Sequence, residues 1–290
     1  MLGAIIGDIA GSYEEVLNIK NKSRSYLEKT AIMNREVPLF TDFSSVTDDS
    51  ILTTAIADAI LNNKSYEDAL REYGLKEINL GVDRYGRSRF GKGFVNWLYD
   101  SSKNNSFGNG CAMRISPVGF LFNNLEQVKE ESKKATIKTH NHEESIKCAE
   151  AVSVSIYLLR IGYTKEMLKK YVEDNYFKLD FDIDDLRENY KFTSRAINSV
   201  PQAIFCFLKS IDFEDAIRKA ISIGGDSDTI ACITGALAEA YYGVPVYLKE
   251  QAIPYLKDYM IDIIDKFYNT NILLKNTKIK IKNWNIKRKF

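Results

Sequence analysis

Two short acidic motifs contain the residues best suited to chemistry in this 290-residue sequence. The first is TDDS at 47–50 and the second is GGDSDT at 224–229, and a stretch of apolar residues with helical spacing follows each one. A single Asp, Ser or Thr is enough to cap a helix start, because one side chain can accept the free N–H groups there. Each motif has two carboxylates flanked by hydroxyls, which is more than capping requires.

The two motifs would form a strongly negative site if their helix starts met in the fold. Four carboxylates in one place raise one another's pKa values and destabilise the protein unless positive charge compensates them. Carboxylates, hydroxyls and water are oxygen ligands of the kind that Mg²⁺ and Mn²⁺ take, whereas zinc favours the Cys and His clusters that are missing here. From the residues alone, a two-metal site and a pair of helix caps both remain open.

A glycine-rich segment, SFGNG at 106–110, is the third motif. Gly and Asn tolerate positive φ, so successive backbone N–H groups could line a concave site for a phosphate or diphosphate. A plain tight turn has the same composition and is the competing interpretation. Arg114 could assist an anion there or could be a structural ion-pair partner.

Two further segments hold candidate polar residues. His140 and His142 are the only histidines, and they lie in THNH just before a predicted helix start at Glu143. A hydrogen-bonding role is commoner than metal ligation for such residues, and His140 could also stack on a ligand ring. Near the N-terminus, Glu14 and Glu15 are on their own most simply exposed acids.

Helical periodicity dominates the elements that must position these motifs. Apolar residues recur with helical spacing in 51–60, 146–159, 203–208 and 216–221. The segment 230–242 is apolar almost all round, which predicts a helix at the centre of a domain that ends at Gly243. Strand signals are few, the best being the alternation of KIKIK at 278–282. We therefore expect a single all-α domain of about ten or more helices.

The charge distribution separates the end of the chain from the rest. Lys plus Arg number 40 against 39 Asp plus Glu, so no global field selects a polyanionic partner. Residues 275–290 nevertheless include seven basic residues and no acid. We predict a domain over 1–270 and a basic tail over 271–290, which is either a solvated segment or an arm for nucleic acid. The acid-rich stretch at 178–189 predicts an exposed loop or short helix.

Cysteine usage and hydropathy favour a cytoplasmic protein. Asp8 interrupts the only apolar run near the N-terminus, which argues against a signal peptide, and no stretch is long enough to span a bilayer. We expect buried free thiols in a reducing compartment. The cysteines are Cys111, Cys148, Cys206 and Cys232.

The motifs, in their order along the chain, resemble those of the ADP-ribosylglycohydrolase family, which includes dinitrogenase-reductase-activating glycohydrolases and ADP-ribosyl-acceptor hydrolases. The matching segments are GAIIGDIAGSYEE, TDDS, SFGNGCAMRISPVG, THNH, VPQAI and AIRKAISIGGDSDTIACITGALAEAYYGVP. The resemblance covers about 2–245 and implies an all-helical orthogonal fold around a binuclear Mg²⁺ or Mn²⁺ centre. Ser50 stands where the family usually has Thr. Asp83 and Asp100 match no motif for the further acid that some members carry.

The resemblance also implies roles for individual residues. The metal ligands would be Thr47, Asp48, Asp49, Asp226, Asp228 and Thr229. ADP-ribose would be held by Ser106, Phe107, Gly108, Asn109, Gly110 and His140. Glu15 would act at the reacting centre, with Glu14 as the alternative register, and Asp49 and Asp228 would share in catalysis.

An enzyme of this family would cleave the bond between ribose C1 and a nitrogen or oxygen of an acceptor, through an oxocarbenium-like transition state. The metals would orient the ribose hydroxyls and acidify a bound water, and Glu15 would act as general base or general acid. The acceptor could be a protein side chain, a small conjugate or a nucleic-acid base. The alternatives are a non-catalytic ADP-ribose-binding member, as in crystallins related to the family, and a two-metal phosphoesterase that releases AMP.

Overall fold

The computed structural model describes residues 1–19, 24–83, 86 and 88–270, so the predicted basic tail and its KIKIK alternation lie outside the described residues. Within this part of the chain there are sixteen α-helices, two short 3₁₀ helices and no named strand, which confirms the all-α prediction. The first eight α-helices are α1 (Leu2–Ile19), α2 (Tyr26–Ala31), α3 (Asp48–Leu61), α4 (Tyr66–Asn79), α5 (Lys92–Tyr99), α6 (Gly110–Met113), α7 (Ser116–Leu121) and α8 (Leu125–Thr136). The others are α9 (Glu143–Arg160), α10 (Lys165–Asn175), α11 (Ile183–Asn189), α12 (Val200–Lys209), α13 (Phe213–Ser222), α14 (Ser227–Tyr242), α15 (Val246–Ala252) and α16 (Asp258–Asn269), with 3₁₀ helices at Ala196–Asn198 and Ile253–Tyr255.

The most apolar predicted helix lies at the centre of the molecule. α14 is buried from Ser227 to Ala240, and α1, α9, α12 and α13 pack around it. It ends at Gly243, which has a φ of 77°. The other helices predicted from apolar spacing form as α3, α9, α12 and α13, and the acid-rich stretch contains the short helix α11.

Glycines at four-residue spacing allow α1 to lie directly against α14. A Cβ added to Gly3, Gly7 or Gly11 would lie 2.3, 2.0 or 2.4 Å from a backbone carbonyl oxygen of α14. Only glycine permits so close an approach of two helix backbones. The consequence is that the acids of α1, Asp8 and Glu15, lie beside the N-terminal turn of α14.

Helix α1 also fixes the start of α3. The Asp8 carboxylate accepts the Thr47 N–H at 3.0 Å, the Thr47 hydroxyl at 2.7 Å and the Ser50 N–H at 3.1 Å, and it also accepts the Ser50 hydroxyl. Asp8 therefore caps α3 from a neighbouring helix. Since Ser50 contributes through its hydroxyl, serine at this position keeps the contact that threonine would make.

All four cysteines are buried free thiols, as expected. Burial raises the pKa of Cys111 and Cys206 to about 12, so these thiols are protonated at neutral pH. Among the helices formed by the described residues, none combines the length and hydropathy that crossing a bilayer requires.

Candidate active site

The N-terminal turns of α3 and α14, which carry the two acidic motifs, meet in the structure. The Thr229 hydroxyl donates to Asp49 Oδ2 at 3.5 Å across this junction, and α1 adds its own acids from the side. The carboxylates gathered there belong to Asp8, Glu15, Asp48, Asp49, Asp226 and Asp228, a set that we call the acidic centre. The two motifs therefore lie together in the fold, and Thr47 also caps α3, since its hydroxyl accepts the Asp49 N–H at 3.2 Å.

Five of the six carboxylates of the acidic centre fall into two groups that could each hold a cation. In each group the ligand atoms lie within 4.8 Å of one another. The first group is Asp8, Asp49 and Asp228, and the second is Glu15, Asp226 and Asp228. Because Asp228 belongs to both, the geometry suits two adjacent cations that share a carboxylate.

Burial raises the pKa of every aspartate in the acidic centre. The pKa of Asp8 rises to about 6, although hydrogen bonds from Ser50 and its other donors oppose the rise. Burial, followed by the charge of Glu15, raises the pKa of Asp48 to about 8. The pKa is likewise raised at Asp49, Asp226 and Asp228, with burial as the largest cause. Carboxylates in this state need a cation in order to ionise together.

The residues present fit an oxygen-ligated divalent cation. Among the described residues, no Lys or Arg forms an ion pair with an aspartate of the acidic centre. Asp49 Oδ1 is buried and has no hydrogen-bond partner. A buried oxygen left in this way is destabilising unless a ligand contacts it. Carboxylate and hydroxyl oxygens are the ligands that Mg²⁺ and Mn²⁺ prefer.

The two adjacent glutamates of α1 have different surroundings. Arg24 Nε donates to both carboxylate oxygens of Glu14, at 2.9 and 2.8 Å, and Arg24 Nη2 adds a bond of 2.7 Å. Glu15 instead belongs to the second cation group, with Asp226 and Asp228. Glu15 therefore belongs to the acidic centre, whereas Glu14 pairs with the Arg24 guanidinium.

Sequence reasoning missed Asp8 as a site residue. It lies in the first cation group, whereas the sequence analysis treats it as an interruption of an apolar run and as part of the segment GAIIGDIAGSYEE, without a role of its own. A lone carboxylate inside such a run is the signal that could have identified it, because a buried acid needs partners. Asp48, by contrast, belongs to neither group, although the charges of Glu15 and Asp8 act on it.

The glycine-rich segment lies next to the acidic centre but differs from an open anion cradle. Ser106 Oγ accepts the Gly108 N–H at 3.1 Å, and Ser194 O accepts the Asn109 N–H at 2.8 Å, so these two donors are already bonded. Gly108 and Gly110 are not among the residues with positive φ. Glycine is favoured at position 110 because the space there is limited: a Cβ would lie 3.3 Å from His140 Nε2.

His140 lines the segment as a neutral, buried ring. Burial, followed by the charge of Arg114, holds the pKa of His140 well below its usual range. Arg114 Nη2 donates to Thr139 Oγ1 at 2.6 Å, and the same hydroxyl lies 2.6 Å from His140 Nδ1. The Thr139 hydroxyl thus bonds the Nδ1 side of the ring, and Nε2 lies beside Gly110. Arg114 is thus an interior residue that orients the ring through Thr139.

Phe107 is the exposed member of the segment, with 54% of its surface accessible. The His142 ring lies at its edge with a centroid separation of 5.9 Å, and the Arg195 guanidinium lies 5.7 Å from its centroid. Arg195 is held in turn by Glu144, at 2.9 and 2.7 Å. An aromatic ring supported in this way offers a stacking surface at the rim of the site.

The sequence model of the ADP-ribosylglycohydrolase family matches residues 1–272. The chain belongs to the ADP-ribosylglycohydrolase family. It is therefore a hydrolase, and the family is metal-dependent, in keeping with the oxygen ligands of the acidic centre. The resemblance drawn from the motifs is confirmed over nearly the whole chain.

Curated proteins that are similar to this chain come from animals, a bacterium and an archaeon. ADP-ribosylhydrolase ARH3 of Homo sapiens is 23% identical, with 84% of each chain covered. ADP-ribosylhydrolase ARH3 of Danio rerio is 22% identical over 84% of this chain and 82% of its own. ADP-ribosylarginine hydrolase Tri1 of Pseudomonas putida is 24% identical over 84% of this chain and 70% of its own.

A solved structure described as an ADP-ribosylglycohydrolase-related protein complex has the same fold. Its TM-score is 0.61 at 19% identity, and the match covers 92% of this chain and 96% of the other. At this identity the likeness establishes the fold alone, and it agrees with the predicted all-helical ADP-ribosylglycohydrolase architecture.

The further acid that some ADP-ribosylglycohydrolases carry has no counterpart at Asp100. This residue is a surface cap whose carboxylate accepts the N–H and the hydroxyl of Ser102, at 3.1 and 2.7 Å. In this chain Asp8 and Glu15, both on α1, supplement the acids of the two motifs.

Proposed function

We propose that this chain is a divalent-metal-dependent ADP-ribosyl-acceptor hydrolase, which cleaves the C1″ glycosidic bond between ADP-ribose and its acceptor and releases ADP-ribose. The observation that carries the proposal is the pair of cation groups that share Asp228, with Glu15 in one of them. The relatives named ADP-ribosylhydrolase and ADP-ribosylarginine hydrolase support the same activity.

Two ions, Mg²⁺ or Mn²⁺, would be held by the acids and hydroxyls at the junction of α3 and α14. The proposed ligands are Thr47, Asp48, Asp49, Asp226, Asp228 and Thr229, with Asp8 as a further acid in the first group. The Thr47 hydroxyl donates to Asp8 and the Thr229 hydroxyl donates to Asp49, so each oxygen keeps a lone pair for a cation. When bound, the ions would supply positive charge that orients the ribose hydroxyls and stabilises developing negative charge.

Glu15 is the proposed proton-transfer residue. In the reaction a water oxygen bonds to C1″, the bond from C1″ to the acceptor atom breaks, the water loses a proton and the acceptor atom gains one. Glu15 would take the proton from water as general base in its carboxylate form, or give one to the leaving group as general acid in its protonated form. The neighbouring carboxylates, Asp49 and Asp228, would take part in catalysis through the metal ions that they hold.

The glycine-rich segment would hold the ADP-ribose half of the substrate. Ser106, Phe107, Gly108, Asn109, Gly110 and His140 are the proposed binding residues. Phe107 would stack on the adenine, since its exposed ring is supported by His142 and Arg195. His140 would contribute its Nε2 at the opposite end of the segment, where Gly110 leaves room.

Product analysis by mass spectrometry tests the proposal. Mono-ADP-ribosylated arginine peptides, serine peptides and nucleic acid would each be incubated with the protein and Mg²⁺ or Mn²⁺, with EDTA as control. Free ADP-ribose that disappears on chelation is the expected product, and the rates rank the acceptors. AMP would show a phosphoesterase instead, and no product from any substrate despite bound metal and ADP-ribose would indicate a binding protein.

A further inference from the structure

The side chain of Asn109 connects the glycine-rich segment directly to the acidic centre. Its Nδ2 donates to Asp226 Oδ2 at 2.7 Å and to Ser199 Oγ at 3.2 Å. Asn109 is buried, with 5% of its surface exposed. Both amide hydrogens are therefore committed inside the protein, and neither is directed at a substrate.

The backbone around Asn109 is fixed as firmly as its side chain. Its N–H donates to Ser194 O at 2.8 Å, and its carbonyl oxygen accepts the N–H groups of Ala112 and Met113 at 2.8 and 3.1 Å. Ser199 is anchored in turn, because its hydroxyl lies 3.1 Å from Arg195 O. The amide is thus pre-positioned toward Asp226 by α6 on one side and by the segment before α12 on the other.

An amide donor suits this position for an electrostatic reason. A Lys or Arg beside Asp226 would neutralise the carboxylate and compete with a divalent cation. The neutral Asn109 amide orients the carboxylate and occupies one lone pair of Oδ2, so the negative charge remains for a metal ion. Hydrogen-bonding partners of this kind typically contribute 10–100-fold to metal affinity.

We propose that Asn109 is a positioning residue that holds Asp226 in its metal-ligating orientation and so couples the substrate segment to the metal centre. This inference rests on the metal-dependent hydrolase proposed above, and it changes the role of Asn109 from substrate contact to support of a ligand. Since coupling is reciprocal, ADP-ribose bound on the glycine-rich segment tightens metal binding as much as metal tightens ADP-ribose binding.

The test is a Mn²⁺ titration followed by electron paramagnetic resonance, which measures free Mn²⁺ without requiring turnover. Wild type, Asn109→Ala and the control Asn189→Ala would be compared with and without ADP-ribose. Asn189 is a matched control, because its Nδ2 also donates to an aspartate, Asp185, at 2.7 Å, but at an exposed position. Circular dichroism of each metal-free variant would verify folding.

We expect Asn109→Ala to weaken Mn²⁺ binding at least about tenfold and Asn189→Ala to leave it unchanged. ADP-ribose should tighten Mn²⁺ binding about fivefold or more in wild type and by a smaller factor in Asn109→Ala, where only the direct contact between the ribose and the ions remains. Equal Mn²⁺ affinity in Asn109→Ala and wild type would overturn the inference but leave the proposed hydrolase intact. A wild type that binds no Mn²⁺ would overturn both.

Two milder variants keep the test decisive if Asn109→Ala does not fold. Asn109→Ser retains a polar side chain that is too short to reach Asp226, and it should show the same loss of Mn²⁺ affinity. Ser199→Ala removes the acceptor that helps to orient the amide, together with the hydrogen bond from the Ser199 hydroxyl to Arg195 O, and it should weaken Mn²⁺ binding by a smaller factor. Wild-type affinity in both variants would contradict the proposed role.

Discussion

Buried carboxylates occur in two regions of this molecule, and their surroundings are opposite. Glu77 on α4 is fully buried and accepts the Lys257 ammonium and the Tyr259 hydroxyl, the latter at 2.8 Å, with Arg89 Nη1 at 3.6 Å. The aspartates of the acidic centre have hydroxyl and amide donors, while among the described residues none has a Lys or Arg ion-pair partner.

The difference separates a structural acid, which pairs with side-chain cations, from acids whose donors are neutral and which suit a metal ion. Removing a carboxylate from water is costly, and the side chains of Lys257 and Arg89 beside Glu77 offset that cost. The contact with Lys257 also joins α4 to the start of α16. At the acidic centre, no Lys or Arg ion pair among the described residues offsets the cost of removing the aspartates from water. This condition is expected where a bound metal ion supplies the positive charge. The comparison predicts that acids in the two regions respond in opposite ways to substitution and to metal.

The largest effect is expected from Asp228→Asn, because Asp228 belongs to both cation groups. This variant should lose at least one bound metal ion and nearly all turnover, while its folded state without metal should be no less stable than wild type. Metal content by plasma emission spectroscopy and ADP-ribose release would be measured together. Wild-type turnover in a variant without metal would refute the two-metal assignment.

Glu77→Gln is the control from the other region. It keeps the shape of the side chain but removes the charge that pairs with Lys257, so we expect a loss of roughly 1–3 kcal/mol in the free energy of unfolding. Metal content and turnover at a temperature where the variant is folded should remain normal. Loss of metal in this variant would show that the two regions are not independent.

The second largest effect should separate two adjacent residues, Glu15 and Glu14. Glu15→Gln should retain ADP-ribose binding and lose roughly 10²–10⁴-fold in kcat, the usual range for a general acid or base. Glu14→Gln should retain turnover, because Glu14 is paired with Arg24 and not with the acidic centre. Single-turnover kinetics would measure both, and the reverse ranking would place the reacting glutamate at Glu14.

Metal removal gives an intermediate effect on stability. Saturating Mn²⁺ at about 100 times its dissociation constant should stabilise the wild type by about 2.7 kcal/mol per site. The gain should be reduced in Asp228→Asn and unchanged in Glu77→Gln. Urea unfolding with EDTA or Mn²⁺ would measure it. Equal stabilisation of all three proteins would mean that Mn²⁺ binds elsewhere.

Much of this architecture could be predicted from the sequence because the central helices are strongly patterned. The almost wholly apolar segment at 230–242 predicted the central helix, and Gly243 its end. The two acidic motifs could be placed at helix starts by the same pattern. Their meeting across Thr229 and Asp49 was a hypothesis, since no local rule determines which helix starts face each other.

The parts that could not be predicted depend on contacts between distant segments. Asp8 caps a helix 39 residues further along, so its four hydrogen bonds have no local signature. Asn109 contacts an acid 117 residues away, whereas its position between two glycines suggested a backbone turn. The glycines of α1 were noted only as part of a motif, yet their four-residue spacing is what brings α1 against α14.

The smallest predicted effect is on the pH dependence of the free energy of unfolding, to which His140 and the acids contribute with opposite sign. Burial and the charge of Arg114 hold the pKa of His140 well below its usual value near 6.5. As pH falls below about 6.5, the unfolded chain therefore binds a proton that the folded protein does not, and stability decreases. The slope cannot exceed about 1.4 kcal/mol per pH unit for one proton.

The aspartates of the metal-free acidic centre act in the opposite direction. A carboxyl such as Asp8, with its pKa raised to about 6, binds a proton in the folded state first, so it adds stability as pH falls. Comparison of His140→Gln with wild type between pH 7.5 and 5 isolates the histidine contribution, with His142→Gln as control. We expect His140→Gln to lose less stability on acidification than wild type, as measured by urea unfolding with EDTA. Parallel pH profiles would show that His140 is protonated as easily in the folded protein as in the unfolded chain, and the assignment of a neutral ring would then have to be abandoned.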